Sequence, residues 1–191
     1  MFGFGQLIGI LKKNPKKIVF TEGEDPRILE ASSRLLASYF LHPILIGDEK
    51  RIADAAEESG FNIRGAEIID PEKFDKIDEM VELYCELRKK KGVTPDQARE
   101  ILKQANYFGT MLVKMGFADA LLGGATYSTA DTVRPALQLI KTKPGNNLVS
   151  SCFILVRPSA TVDNEVLAMG DCAVNINPTE DDLVEIAGET A

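Results

Sequence analysis

The sequence predicts an α/β fold, a mostly parallel sheet flanked by helices, on three observations. Short β-branched runs alternate with helix-length amphipathic segments through the first half of the chain. The early runs each end in a polar turn, TEGED after KIVF and GDE after PILI, as expected where parallel strands end at a ligand-facing edge. Finally, of 191 residues 45% are hydrophobic and 27% charged, the balance of an ordinary globular chain with one sizeable core.

The elements follow in order. MFGFGQLIGILKKNPKK is apolar and then basic, the reverse of a secretory signal, and its apolar part is too short to span a bilayer, so a capping helix is expected. Gly3 and Gly5 lack the third glycine of a dinucleotide fingerprint, because Ile8 stands in its place. KIVF (17–20), PRILEASSRLLASYF (26–40), PILI (43–46), EKRIADAAEES (49–59) and AEII then alternate strand and helix, the rhythm of βαβ units. A helix follows with Ile77, Val81, Tyr84 and Arg88 on one side and Met80 and Leu87 beside them. Lys89, Lys90, Lys91 and Gly92 close it, the lysines complementing the helix dipole while Arg88 continues the inward stripe. Thr94-Pro95-Asp96-Gln97 is a capping box with proline at the first helical position. It opens what reads as one long helix, buried along Ala98, Ile101, Leu102, Ala105, Gly109 and Leu112 and ended by Gly116. ADALLGG is the next strand.

That strand runs into GGATYSTADTVRP, residues 123 to 135. Pro135 lacks an amide hydrogen, so the helix it enters is expected to begin no earlier than about Asp131 or Thr132. Gly123 and Gly124 allow close backbone approach to a ligand, and Ser128, Thr129 and Thr132 supply hydroxyl donors. Arg134 adds a planar cation suited to bidentate phosphate or carboxylate contacts. The stretch reads as an oxyanion cradle. The same hydroxyls and Asp131 are also the ordinary capping groups of a strand-to-helix turn, and side-chain chemistry does not separate phosphate from carboxylate.

Several function classes are disfavoured. A net charge of -7 leaves no basic face for nucleic acid, and no segment is apolar enough for a membrane span. Cys85, Cys152 and Cys172 are an odd number without CxxC spacing, which reads as reduced core thiols of a cytosolic protein. No Walker loop or G-x-S-x-G elbow is present, and His42 has no cysteine or second histidine with which to share a metal. Glu22, Glu24 and Asp25 read as a solvated helix-start cluster lying on the ligand-facing edge.

Lys143-Pro144-Gly145 breaks the chain. NLVSSCFILV (147–156) and VLAMGDCAVNIN (166–177) suggest an antiparallel hairpin around the polar turn RPSATVDNE, with Cys172, Val174 and Ile176 on one face. This change of style places a boundary near residues 142 to 147 and divides the chain into domains 1–145 and 146–191. Pro178-Thr179-Glu180-Asp181-Asp182-Leu183 starts a helix whose apolar stripe begins with Leu183, Ile186 and Ala187. A hairpin and three turns of helix bury too little for independence, so the second domain is expected to be incomplete or to be completed by a partner chain.

The run GATYSTADTVRPALQLIKTKPG closely resembles the signature region of the phosphate acetyltransferases. VFTEGEDPRILEA, ELRKKKGVT and AMGDCAVNINPTEDDLVEIA look like other characteristic stretches of that family, and the similarity extends over essentially the whole chain. The phosphate butyryltransferases are a weaker match. One departure is Tyr127, where many members carry histidine. What the resemblance implies is reversible acetyl transfer between acetyl phosphate and coenzyme A with release of phosphate. It implies no metal and no permanently bound cofactor, coenzyme A being a substrate, in a cytoplasmic homodimer. It also implies a two-domain fold similar to the isocitrate and isopropylmalate dehydrogenases. Carried over residue by residue, it puts the family's two arginines on Arg88 and Arg134 as catalytic groups, and substrate or phosphate binding on Gly124, Ser128, Thr129 and Thr132. The family's aspartate proposed to deprotonate the thiol, with a serine and another arginine, lies beyond the position of Ala191. The chain is therefore expected to be an N-terminal part, inactive alone. A reading of a different class is a non-catalytic module that binds phosphate or acyl phosphate and has kept only the cradle.

Overall fold

In the computed structural model, which describes residues 4–157 and 165–191, the chain begins with helix α1 (Phe4–Lys13) and then alternates strands and helices. The elements are β1 (Lys16–Phe20), α2 (Pro26–Ser38), β2 (Leu41–Ile46), α3 (Glu49–Ser59), β3 (Glu67–Ile69), α4 (Ile77–Leu87), α5 (Pro95–Leu102), α6 (Ala105–Lys114), β4 (Ala120–Leu122) and α7 (Thr129–Pro135). After these come β5 (Cys152–Arg157), β6 (Glu165–Gly170) and α8 (Glu180–Thr190). Two compact units result, one of Ile10–Lys141 and one of Met1–Gly9 with Thr142–Ala191.

The larger unit is built on a four-stranded sheet in the order β3-β2-β1-β4, with every neighbouring pair parallel. Alternation along the strands explains why it needs helices on both faces. Val19, Ile44 and Ile46 join one apolar cluster with Met80, Phe108 and Met111, while Phe20 and Leu45 join another with Leu29 and Ile52. Gly109 lets α6 lie tight against the sheet. A Cβ there would stand 3.0 Å from side-chain carbons of Val19, Thr21 and Leu121.

Local chemistry sets most boundaries. Asp25 caps α2 by accepting from the Arg27 amide at 2.9 Å, with Pro26 at the first position. Asp48 caps α3, and Thr94 with Gln97 forms the capping box of α5. The long helix expected from Pro95 to Gly116 is instead two. Gln104 adopts an extended backbone (ψ 121) at the start of α6, without a side-chain capping bond, and Leu102 at the end of α5 and Phe108, Met111 and Leu112 of α6 are all buried. No glycine or proline marks this break.

Pro135 lies deeper in its helix than expected, because α7 begins at Thr129 with Ser128 as its cap. Two adjustments make this possible. The carbonyl of Asp131, which the missing Pro135 amide leaves open, accepts instead from Asn106 Nδ2 at 2.7 Å. Beyond the proline the helix widens into a π turn over Ala136–Ile140, closed by the Lys141 amide on the Ala136 carbonyl.

In the smaller unit β5 and β6 pair antiparallel from Cys152 opposite Gly170 to Arg157 opposite Glu165. The polar turn read between them falls, at residues 158–164, outside the described residues. β6 ends at Gly170, so Cys172, Val174 and Ile176 do not continue the strand. The cause is Asp171, whose carboxylate accepts from the amides of Val174 and Asn175 and from the Ser151 hydroxyl and thereby turns the chain. Cys152 and Cys172 are exposed and Cys85 is half-buried, all three free, so the expected core thiols are corrected. An alternating apolar pattern marks a strand without revealing whether anything covers it.

Candidate functional site

The order β3-β2-β1-β4 reverses chain direction across the sheet between β1 and β4. In open parallel sheets the crevice outside the carboxyl ends of the strands at such a switch point is where ligands bind. The two turns that meet there are Thr21–Asp25, leaving β1, and Gly123–Ser128, leaving β4.

They are fastened side chain to backbone. The Glu22 carboxylate accepts from the Gly124 amide at 3.1 Å, from the Thr126 hydroxyl at 2.9 Å and from the Thr126 amide. The hydroxyls of Thr21 and Tyr127 are hydrogen-bonded to each other, and Arg27 donates to the Ala125 carbonyl at 2.7 Å. Gly123 is confined between these groups, since a Cβ would stand 2.7 Å from both the Thr21 and Tyr127 hydroxyl oxygens. Burial pushes the Tyr127 phenol above its ordinary pKa, opposed by the Thr21 hydrogen bond and reinforced by the Glu22 charge. The phenol is therefore a neutral hydrogen-bonding group at physiological pH.

The residues expected to form the cradle divide into engaged and available groups. Gly124, in the left-handed region at φ 106, has given its amide to Glu22. The Ser128 hydroxyl caps α7, accepting from the Asp131 amide at 3.2 Å and donating to the Asp131 carboxylate at 2.7 Å. Thr132 donates to the Ser128 carbonyl at 3.4 Å. Thr129 opens the helix on its exposed side. Arg134 is exposed and pairs with Asp131 at 3.4 Å. A surface pair of this kind is worth at most about 1 kcal/mol, so an incoming anion can take the guanidinium at little cost.

Arg88 stands apart from this turn. It caps the end of α4, its Nε is buried without a hydrogen-bond partner among the described residues, and it lines a cavity of about 760 Å³ with Lys89, Lys90, Lys91 and Lys141, against the one acid Glu86. Arg134 is not among the residues lining that cavity. A second cavity of about 750 Å³ lies at the carboxyl edge of the sheet, where Glu22, Glu24, Asp48, Asp70 and Glu72 outnumber Arg51 and Lys103. Its field repels anions, whereas that of the Arg88 cavity attracts them. Among the described residues no group of three or more His, Cys, Asp or Glu is placed to hold a metal ion, and no helix is long and apolar enough to cross a membrane. Sequence reading missed the bond from Glu22 to the β4 turn, the place of Lys141 beside Arg88, and the support Asn106 gives to α7.

A family profile described as phosphate acetyl/butaryl transferase matches residues 4–191. The chain belongs to that family. Among curated relatives it is 49% identical over 175 residues to the phosphate acetyltransferase of Bacillus subtilis, covering 92% of this chain and 52% of that protein. It is 45% identical over 181 residues to the phosphate acetyltransferase of Thermoanaerobacterium thermosaccharolyticum, covering 94% of this chain and 55% of that one. The EutD phosphotransacetylase structure from Staphylococcus aureus superposes with a TM-score of 0.85 at 40% identity, over 98% of this chain and 56% of that one. The chain thus spans about half the length of these family members.

Proposed function

We propose that this chain carries the phosphate-recognising part of a phosphate acetyltransferase, which moves an acetyl group reversibly between acetyl phosphate and coenzyme A and releases phosphate. The observation that carries the reading is the family match over residues 4–191, which takes in a hydroxyl-rich turn at the sheet's switch point followed at once by Arg134. Acyl transfer from an acyl phosphate needs fixed positive charge and hydroxyl donors where the phosphate departs. Arg134 and Thr129 supply them directly, and Ser128 and Thr132 do so on leaving the Asp131 carboxylate and the Ser128 carbonyl, with Gly124 shaping the backbone that presents them. Arg88 is taken as the second catalytic cation, neutralising substrate phosphate, a role supported by the lysines that share its cavity. Coenzyme A is a substrate, and no cofactor or metal is invoked.

The same reading takes residues 1–145 as one domain and 146–191 as part of a second, in a two-domain architecture like that of the isocitrate and isopropylmalate dehydrogenases. It takes the working protein as a cytoplasmic homodimer. The test is release of phosphate from acetyl phosphate on adding coenzyme A, run beside butyryl phosphate on a protein of full family length that carries this chain. Coenzyme A-dependent release with a preference for acetyl phosphate is expected. Binding of acetyl phosphate without turnover would instead favour a non-catalytic acyl-phosphate module, and preference for butyryl phosphate would move the chain to the butyryl branch.

A further inference from the structure

We propose that Glu22 is a positioning residue of the candidate site, a carboxylate that holds the β4–α7 turn in the shape that receives the anion. The proposal rests on the acetyl-transfer reading above.

Of the three acids after β1, two have local employment. Asp25 caps α2 and pairs with Arg27, and Glu24 pairs with Arg51 at 2.7 Å. Glu22 does neither; its carboxylate reaches across the switch point to three donors on residues 124 and 126. Arg27 on the Ala125 carbonyl and the Thr21–Tyr127 hydroxyl pair also hold this turn, but neither engages the Gly124 and Thr126 amides, which Glu22 takes. Without the carboxylate, the two exposed amides turn to water, which does not fix their direction, and the turn regains the freedom that glycine confers. Because the Gly124 and Thr126 amides are spent on Glu22, an arriving phosphate is met further along by Thr129 and Arg134, and by Thr132 once it leaves its 3.4 Å bond to the Ser128 carbonyl. Glu22 therefore acts on the substrate only through the turn. Glutamine keeps the length of the side chain but has one acceptor oxygen and places an NH₂ against a donor, so it restores only part of the set.

The experiment compares wild type, Glu22→Gln, Glu22→Ala and Thr126→Val, each in a protein of full family length that carries this chain. It reads KM for acetyl phosphate and kcat with coenzyme A, Tm, and hydrogen exchange at the Gly124 and Thr126 amides. Glu22→Gln should raise KM about tenfold and Glu22→Ala further, as expected for losing one or more charge-assisted hydrogen bonds, with kcat within about threefold. Both amides should exchange faster. Thr126→Val, which keeps both amide bonds, should shift KM least. A lowered Tm with KM unchanged in both Glu22 variants would overturn the proposal, leaving Glu22 a strap for stability alone. If Glu22→Ala does not fold, Glu22→Gln and Thr126→Val decide. If wild type does not turn over acetyl phosphate, the acetyl-transfer reading has failed instead. Titration with inorganic phosphate then judges Glu22, weaker binding by Glu22→Gln supporting it and equal binding overturning it.

Discussion

Asn106 and Asp131, on separate helices, share a 2.7 Å hydrogen bond from side-chain amide to backbone carbonyl at the position that Pro135 cannot serve. A buried carbonyl left without a donor costs about 1–3 kcal/mol, so Asn106→Leu should destabilise the protein by that order. Pro135→Ala restores an amide four residues after Asp131. It should offset much of the loss in the double variant, a coupling that a thermodynamic cycle from chemical denaturation reads directly.

Arg134→Ala should lower kcat/KM for acetyl phosphate by about 10- to 100-fold, the range expected for a charge-assisted contact to phosphate. Arg134→Lys should recover only part of it, because a point charge does not reproduce the planar fork. Tm should hardly move in either variant, since the only ion pair of Arg134 among the described residues is an exposed one.

Gly123→Ala places a methyl group 2.7 Å from two hydroxyl oxygens and should destabilise by about 1–3 kcal/mol, the usual cost of overpacking. Adding Tyr127→Phe removes one of those oxygens and should return part of the stability. Thermal denaturation of the single and double variants checks both statements.

At the end of β6, burial raises the Asp171 carboxyl, but hydrogen bonds from Asn175, Ser151 and the Val174 amide outweigh it and hold the group well below its ordinary 3.8. A carboxyl depressed in the folded state stabilises above its unfolded pKa and loses that contribution as pH falls through the folded one. The 171–175 turn should therefore persist at neutral and mildly acidic pH and loosen only below about pH 4, where the unfolded carboxyl begins to take up protons. Following the Asn175 amide resonance through an acid titration reads the effect, which Asp171→Asn should abolish.

Where the deciding interaction is local, the sequence was readable. Thr94 with Gln97, Asp25 before Pro26 and Gly116 after α6 act within a few residues, and each appears where the pattern puts it. The signature turn was also legible as a strand-to-helix junction rich in donors. Which of those donors are free was not, because Glu22 is 102 residues from Gly124 and the bond depends on β1 and β4 becoming neighbours. The depth of Pro135 in its helix was missed for the same reason, since Asn106, which makes it tolerable, is 25 residues upstream of the Asp131 carbonyl it serves. The break at Gln104 carries no glycine or proline and is set by packing rather than by local preference.

The bond between Glu22 and Thr126 closes a loop of 104 residues. Contacts of such separation cannot form until the intervening chain is in order, and they are the slow and late ones in folding. The anion recognition proposed for this turn would then report on completed folding: a chain in which β4 has not yet docked beside β1 has every residue of the signature and no such turn.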